Sequence, residues 1–172
     1  MKNTDTKEKI LELLFDFPSR TFHIREISRI LKISSPSISK SIYLLKEENL
    51  INIEKKFFLQ LRANRDNQEF INLKRINNLK KIYSSGLVRY LSEEFPFSAI
   101  TLFGSYSRGE DNENSDIYIA IMNNKEKKTD LEKFESIIGK KINIEFIDIH
   151  KINKELKSSI ISGIILKGYI EI

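Results

Sequence analysis

Apolar residues recur along this chain with two different periods, and the switches between them outline its elements. TKEKILELLFDF sets Ile10, Leu13, Leu14 and Phe17 at the spacing of a helix with one buried face. Pro18 and Ser19 stop that helix. FHIREISRILKI repeats the pattern through Ile24, Ile27, Ile30 and Leu31. After the break ISS, the run SPSISKSIYLLKEENL predicts a third helix, with Ser35 as its cap and Pro36 in its first turn. Ile38, Ile42 and Leu45 form its buried stripe, and Asn49 suits a left-handed residue just past its end. The period then drops to two in INIEKKFFLQLRA, which predicts two short strands around a Glu54-Lys55-Lys56 tip.

Helical spacing returns in NRDNQEFINLKRINNLKKIY, through Phe70, Leu73, Ile76, Leu79 and Tyr83. This predicts a connecting helix and a candidate dimer surface. SSGLVRYLSEEF predicts another helix after Gly86. FSAITLF and SDIYIAI read as strands, TDLEKFESII as a helix capped by Thr129, and KKINIEFIDI as a strand with clear alternation. NKELKSSIISGIILKGYIEI closes with a helix and a last short strand. The fold class predicted is α/β (α+β). No internal repeat or low-complexity linker interrupts the chain.

The first third runs helix, helix, tight turn, helix, hairpin, which is the order of a winged helix-turn-helix. We therefore divide the chain into a winged helix over 1–65, connecting helices over 66–94 and a second domain on a mixed sheet over 95–172. In a helix-turn-helix the third helix enters the major groove of duplex DNA while the second braces it on the backbone. On that expectation Ser37, Lys40, Ser41 and Leu44 face the groove, with Ser35 at the start of the helix. Arg25 and Arg29 of the second helix, and Lys55 and Lys56 of the hairpin tip, reach phosphates. The reading face has no Arg, Asn or Gln for a bidentate base contact, which leaves modest specificity or readout of DNA shape.

Charge sharpens this picture. Of the net +5, residues 1–65 carry +5, residues 66–94 +1 and residues 95–172 −1. The excess thus falls where a polyanion is expected. The 172 residues suit one domain or two small ones, and 40% hydrophobic content can build a core. There is no cysteine, and His23 and His150 stand far apart, which argues against disulfides and a zinc site. No leader-like apolar core follows MKNTDTKEK and no apolar run spans a membrane, so a cytoplasmic protein without membrane contact is expected.

The stretch LFGSYSRGEDNENSDIYIAI carries the chemistry. It resembles the signature of the DNA polymerase β-type nucleotidyltransferase superfamily in its minimal form: a Gly-Ser turn, Arg-Gly, a short loop, then Ser-Asp-x-Asp on a strand. Gly104, Ser105, Arg108, Gly109, Ser115 and Asp116 match it. The whole layout also resembles a prokaryotic group in which a winged helix precedes such a domain. FHIREIS, LKEENLI, ANRDN, SGLVRYL and GKKINIEFID fall where that group has similar segments. Its members are described as transcriptional regulators or nucleotidyltransferases.

The resemblance implies roles for these residues. Gly104, Ser105 and Arg108 would bind the nucleotide, and Asp116 would hold Mg²⁺ against a nucleoside triphosphate. A second aspartate two residues on would share the metal, since side chains at i and i+2 of a strand lie on one face about 6–7 Å apart. Here that position is Tyr118, and a phenol stays protonated near neutral pH. The third acid, aligned through KKINIEF, falls on Asn143, which cannot act as a base. Glu145 lies on the same strand face as Asn143 and is a candidate stand-in.

The leading expectation is a DNA-binding transcriptional regulator with a degenerate nucleotidyltransferase-like domain that retains nucleotide binding. It would act as a homodimer on double-stranded DNA. The alternatives are an active enzyme modifying a protein or RNA hydroxyl through Asp116 and Glu145, or an antitoxin-like protein with a separate protein partner.

Overall fold

The computed structural model describes residues 2–55 and 59–170, with side chains from Asp5 onward and without that of Lys55. It is a mixed α/β structure with two sheets. The chain divides into two compact units, Met1–Lys74 and Arg75–Ile172. The division falls inside a helix rather than at residue 65. Among the described residues no helix is long and apolar enough to cross a membrane.

The first unit contains α1 (Lys2–Asp16), β1 (Phe22–His23), α2 (Ile24–Leu31), α3 (Ser35–Glu47), β2 (Ile51–Lys55) and β3 (Leu59–Ala63). Its antiparallel sheet has the order β1-β3-β2, so the hairpin gains a third strand from Phe22 and His23, which the periodicity did not reveal. Ile10, Leu14, Phe22, Ile27, Ile38, Ile42, Leu45 and Leu61 form the core. Lys32, at φ 54°, makes the turn between α2 and α3, and Asn49, at φ 57°, ends α3 as expected. The cap of α3 is Ser34 rather than Ser35, and its hydroxyl donates to Ser37 Oγ at 3.0 Å. Ile30 is exposed, because the buried face of α2 turns on Ile27.

The helix α4 (Gln68–Ser84) runs across the division between the units. The second unit continues with α5 (Leu87–Glu94), β4 (Ile100–Phe103), the one-turn α6 (Ser105–Arg108), β5 (Ile117–Met122), α7 (Glu132–Ile138), β6 (Ile142–Ile147), α8 (Lys154–Ile161) and β7 (Ile164–Lys167). The helix α7 starts at Glu132, past Thr129, and is preceded by Leu131. The sheet order is β6-β5-β4-β7, with β5 and β6 parallel and the other pairs antiparallel.

Strand alternation gives this sheet two packed faces. Ile100, Leu102, Ile117, Ile119, Ile121 and Ile142 pack with Leu87 and Leu91 of α5 and Phe134 of α7. Phe103, Ala120, Met122 and Ile147 pack on the other face with Ile160 of α8. Gly163 lets the turn after α8 press on β4. A Cβ there would lie 2.5 Å from Leu102 O, so a side chain cannot be accommodated without moving backbone.

Along α4 the expected apolar stripe breaks down beyond Leu73. Ile76 is 65% exposed and Tyr83 is half exposed, whereas Asn77 and Asn78 are buried with Ile82. The reason is polar: Asn78 Nδ2 donates to Tyr106 O at 2.9 Å and to Asp111 Oδ1 at 2.7 Å. A buried amide with two good acceptors displaces the apolar side of the helix from the core.

Candidate functional site

The site is assembled at one end of the second unit's sheet, from the β4–α6 turn, the loop 109–116, and the first residues of β5 and β6. Gly104 leaves β4 at φ 81° and ψ −166°, a conformation that side chains do not tolerate, and opens the turn into α6. A Cβ built there would meet Tyr118 Cδ2 at 3.6 Å, an ordinary contact, so the backbone angle and not the space requires glycine. Ser107 Oγ donates back to Gly104 O at 2.8 Å and fixes the turn.

The loop that leads to Asp116 is held from inside. Asp111 is 1% exposed. One of its oxygens accepts from Asn78, and the other lies 3.5 Å from Lys140 Nζ. Lys140 also donates to Asn112 O at 2.5 Å and Ser115 O at 3.2 Å. Asn112 and Ser115 close a small turn, with Asn112 N donating to Ser115 Oγ at 3.0 Å and Asn114 N to Asn112 Oδ1 at 2.9 Å. The acidic loop is therefore not uniformly solvated, as its composition suggests. Asp111 is a structural anchor, and Ser115 is engaged within the loop.

Asp116, Tyr118, Asn143 and Glu145 share a sheet face, but the register separates them. Tyr118 pairs with Asn143 on β6 and with Phe103 on β4. The Asn143 side chain reaches back, and its Nδ2 donates to Asp116 Oδ2 at 3.0 Å. Tyr118 is 38% exposed, and its ring centroid lies 5.8 Å from that of Phe103 at a tilt of 50°. Glu145 pairs with Ala120, four residues beyond Asp116. At about 3.3 Å per residue that is about 13 Å along the strand. Glu145 is thus too distant to share one cation with Asp116, and the expected catalytic and metal-holding pair does not form.

The donor set can be tested against Mg²⁺, which binds through oxygens at about 2.1 Å in a near-octahedral shell. Asp116 supplies one carboxylate, with an amide nitrogen rather than an oxygen directed at its Oδ2. Tyr118 supplies a ring that rests over Gly104. Among the described residues no group of three or more His, Cys, Asp or Glu could hold a metal. These residues do not fit a catalytic Mg²⁺ seat. Of the nucleotide-binding candidates, Ser105 is half-buried at the start of α6. Arg108 is exposed and gives its Nε to Glu110 Oε2 at 2.7 Å. A phosphate on Arg108 would compete with that carboxylate.

In the first unit the residues expected to meet nucleic acid separate into three groups. Arg25, Arg29 and Lys40 are exposed, and Ser35 and Ser37 are half-buried. His23, Ile24, Arg25, Ser35 and Leu59 line one cleft where α2 and α3 begin. Ser41 is fully buried, so it cannot face a groove. It sits at the i+3 position from Ile38 and i−4 from Leu45, within the stripe that packs α3 on the core, and this spacing could have identified it. The side chain of Lys55 and all of Lys56 lie outside the described residues. Tyr43, which no motif singles out, is 63% exposed three residues after Lys40. Its position opposite the buried stripe is the signal that reveals it.

No curated protein and no solved structure matches this chain. Residues 85–169, which contain β4 to β7 and Gly104, Ser105, Arg108, Asp116, Tyr118, Asn143 and Glu145, match the family Polymerase beta, Nucleotidyltransferase, and the second unit therefore carries a nucleotidyltransferase-like domain.

Proposed function

We propose that this protein is a DNA-binding transcriptional regulator whose nucleotidyltransferase-like domain is degenerate, binding nucleotide or a partner without efficient transfer. One observation carries the second half of that reading. The strand position where the superfamily pattern sets its second metal carboxylate holds Tyr118, packed on Phe103 and over Gly104, and Asp116 faces an asparagine amide. Phosphoryl chemistry of this type depends on metal-borne charge at the triphosphate. One carboxylate with an amide neighbour supplies little of it.

The DNA-binding half is supported by the first unit. Two helices joined at Lys32, a following hairpin, exposed Arg25, Arg29 and Lys40, and a local charge of +5 are the parts of a winged helix-turn-helix. The cleft that brings His23, Arg25 and Ser35 together lies where a DNA backbone would cross the start of α3. A cytoplasmic homodimer on a two-fold operator is the natural form of such a regulator. The enzyme reading has no such support, because Glu145 stands too far along its strand from Asp116.

Two measurements test this. Transfer of label from ATP in the presence of Mg²⁺ should stay near background for the wild-type protein. A turnover on the order of 1 s⁻¹ or faster, in the range of ordinary enzymes, overturns the degenerate reading. Binding to duplex DNA should weaken steeply as salt rises, because phosphate contacts release counterions. Binding that is absent at low salt overturns the regulator reading.

A further inference from the structure

The helix α3 presents a surface whose chemistry names a base. Its buried stripe is Ile38, Ser41, Ile42 and Leu45. Opposite that stripe run Pro36, Lys40, Tyr43 and Glu47, all exposed, with Ser37 and Leu44 on one flank. Tyr43 is 63% exposed and Leu44 38% exposed. Nothing in the first unit's core needs these two side chains, since the packing of α3 is complete without them.

We propose that this face reads the 5-methyl groups of thymine in the major groove, so that the protein prefers A·T-rich duplex DNA. This rests on the reading of the first unit as a duplex-binding module, and it deepens that reading by naming the base. The argument runs by exclusion and by fit. Adenine is read directly by the amide of Asn or Gln, and α3 has neither. Guanine is read by the fork of Arg or by Lys; α3 lacks Arg and presents a single lysine, Lys40, on this face. The thymine methyl is the one group in the major groove that an apolar side chain can cover. Leu44 and the ring of Tyr43 provide such cover. Lys40 lies beside them, and Arg25 and Arg29 are exposed on α2, so cations for the flanking phosphates stand within the same unit. The net +5 of residues 1–65 makes a polyanion the complementary occupant of this surface.

The test uses the whole chain and three alternating duplex copolymers at one salt concentration: dA–dT, its methyl-free counterpart dA–dU, and dG–dC. Fluorescence anisotropy should show dA–dT bound about fourfold tighter than dA–dU for each methyl that is covered. Binding to dG–dC should be weakest. Leu44→Ala and Tyr43→Ala change exposed side chains and should leave the circular dichroism unaltered. Each should reduce or abolish the preference for dA–dT over dA–dU while keeping the salt-dependent component of binding. Equal affinity of the wild type for dA–dT and dA–dU, a preference for dG–dC, or a thymine preference that survives both substitutions would overturn the proposal and leave duplex binding standing. If none of the three duplexes binds, the regulator reading fails, and this proposal fails with it.

Discussion

Asp111 and Asp116 stand five residues apart in one loop, and each has an asparagine amide against a carboxylate oxygen. There the likeness ends. Asp111 is enclosed, with Lys140 beside it and Asn78 of α4 donating to it, and it ties a loop, a helix and the start of β6 together. Asp116 is half-buried at the start of β5, with Asn143 as its amide partner and a phenol on the same face. The comparison separates two uses of an acid. One is a buried structural charge held between the Asn78 amide and the Lys140 ammonium. The other stands beside neutral groups, the Asn143 amide and the Tyr118 phenol.

The largest expected effect tests the structural half of this contrast. Replacing Asp111 with Ala leaves the Lys140 ammonium, whose side chain is 10% exposed, without its carboxylate, and takes from the Asn78 amide one of its two acceptors, leaving Tyr106 O. Breaking one side of a buried pair costs about 3–5 kcal/mol. Lys140 keeps two carbonyl acceptors, so the lower end of that range is expected. Asp116→Ala removes one hydrogen bond at a half-exposed position and should cost about 1 kcal/mol. Urea unfolding measures both. Equal losses would mean that the two aspartates do the same work, and the distinction drawn above would collapse.

The next effect addresses the neutral neighbours. Tyr118→Asp together with Asn143→Asp would place two further carboxylates on the face of Asp116, at a strand spacing of about 6–7 Å and directly across the ladder. Without metal this variant should be less stable. It loses the ring contact with Phe103, worth about 0.5–1.5 kcal/mol beyond area, and it adds like charges. Added Mg²⁺ or Mn²⁺ should recover that stability, raising the melting temperature by several degrees, while the wild type should shift little. Calorimetric titration gives the affinities directly. A wild type that gains as much from the cation as the variant would show that Asp116 and its neutral neighbours already suffice.

The contrast also explains which parts of this molecule can be read from its residues. Periods of 3.6 and 2 locate α1, α3, the hairpin, β4, β5 and β6, because each of these buries a mainly apolar face. The Gly-Ser turn and Ser-Asp spacing point to the site for a similar reason: Gly104 is required by its backbone angles and Asp116 opens a strand. Where buried groups are polar, the pattern misleads. Asn77 and Asn78 look like the outer face of α4 until their acceptors are known. Asp111 looks solvated within an acidic loop, although Lys140, 29 residues on, neutralises it. Glu145 looks like a neighbour of Asp116 until the register of β5 with β6 places it opposite Ala120. Each of these depends on a long-range pairing, which no local window contains.

A third aspartate gives the smallest effect and sets the scale for the other two. Asp148 follows β6 with its side chain 40% exposed and accepts from Lys151 Nζ at 2.8 Å and His150 N at 3.1 Å. The Lys151 hydrogen bond, and then that of the His150 amide, hold its carboxyl below the ordinary value of 3.8. The same contact lifts Lys151 above 10.5. A carboxyl whose native value is depressed contributes stability above its unfolded value and loses that stability as pH falls through the native one. A raised lysine contributes below its unfolded value and loses its share as pH rises through the native one. The pair should therefore support the fold across the neutral range and fade only toward strong acid or strong base. Because both groups face water, salt screens them, and Asp148→Asn should change the urea midpoint at neutral pH by an amount near the limit of measurement. Carboxyl NMR titration should still resolve the depressed Asp148. If Asp148→Asn destabilises the protein as much as Asp111→Ala, burial is not what distinguishes a structural aspartate here, and the assignment of Asp111 as the anchor of the loop loses its physical basis.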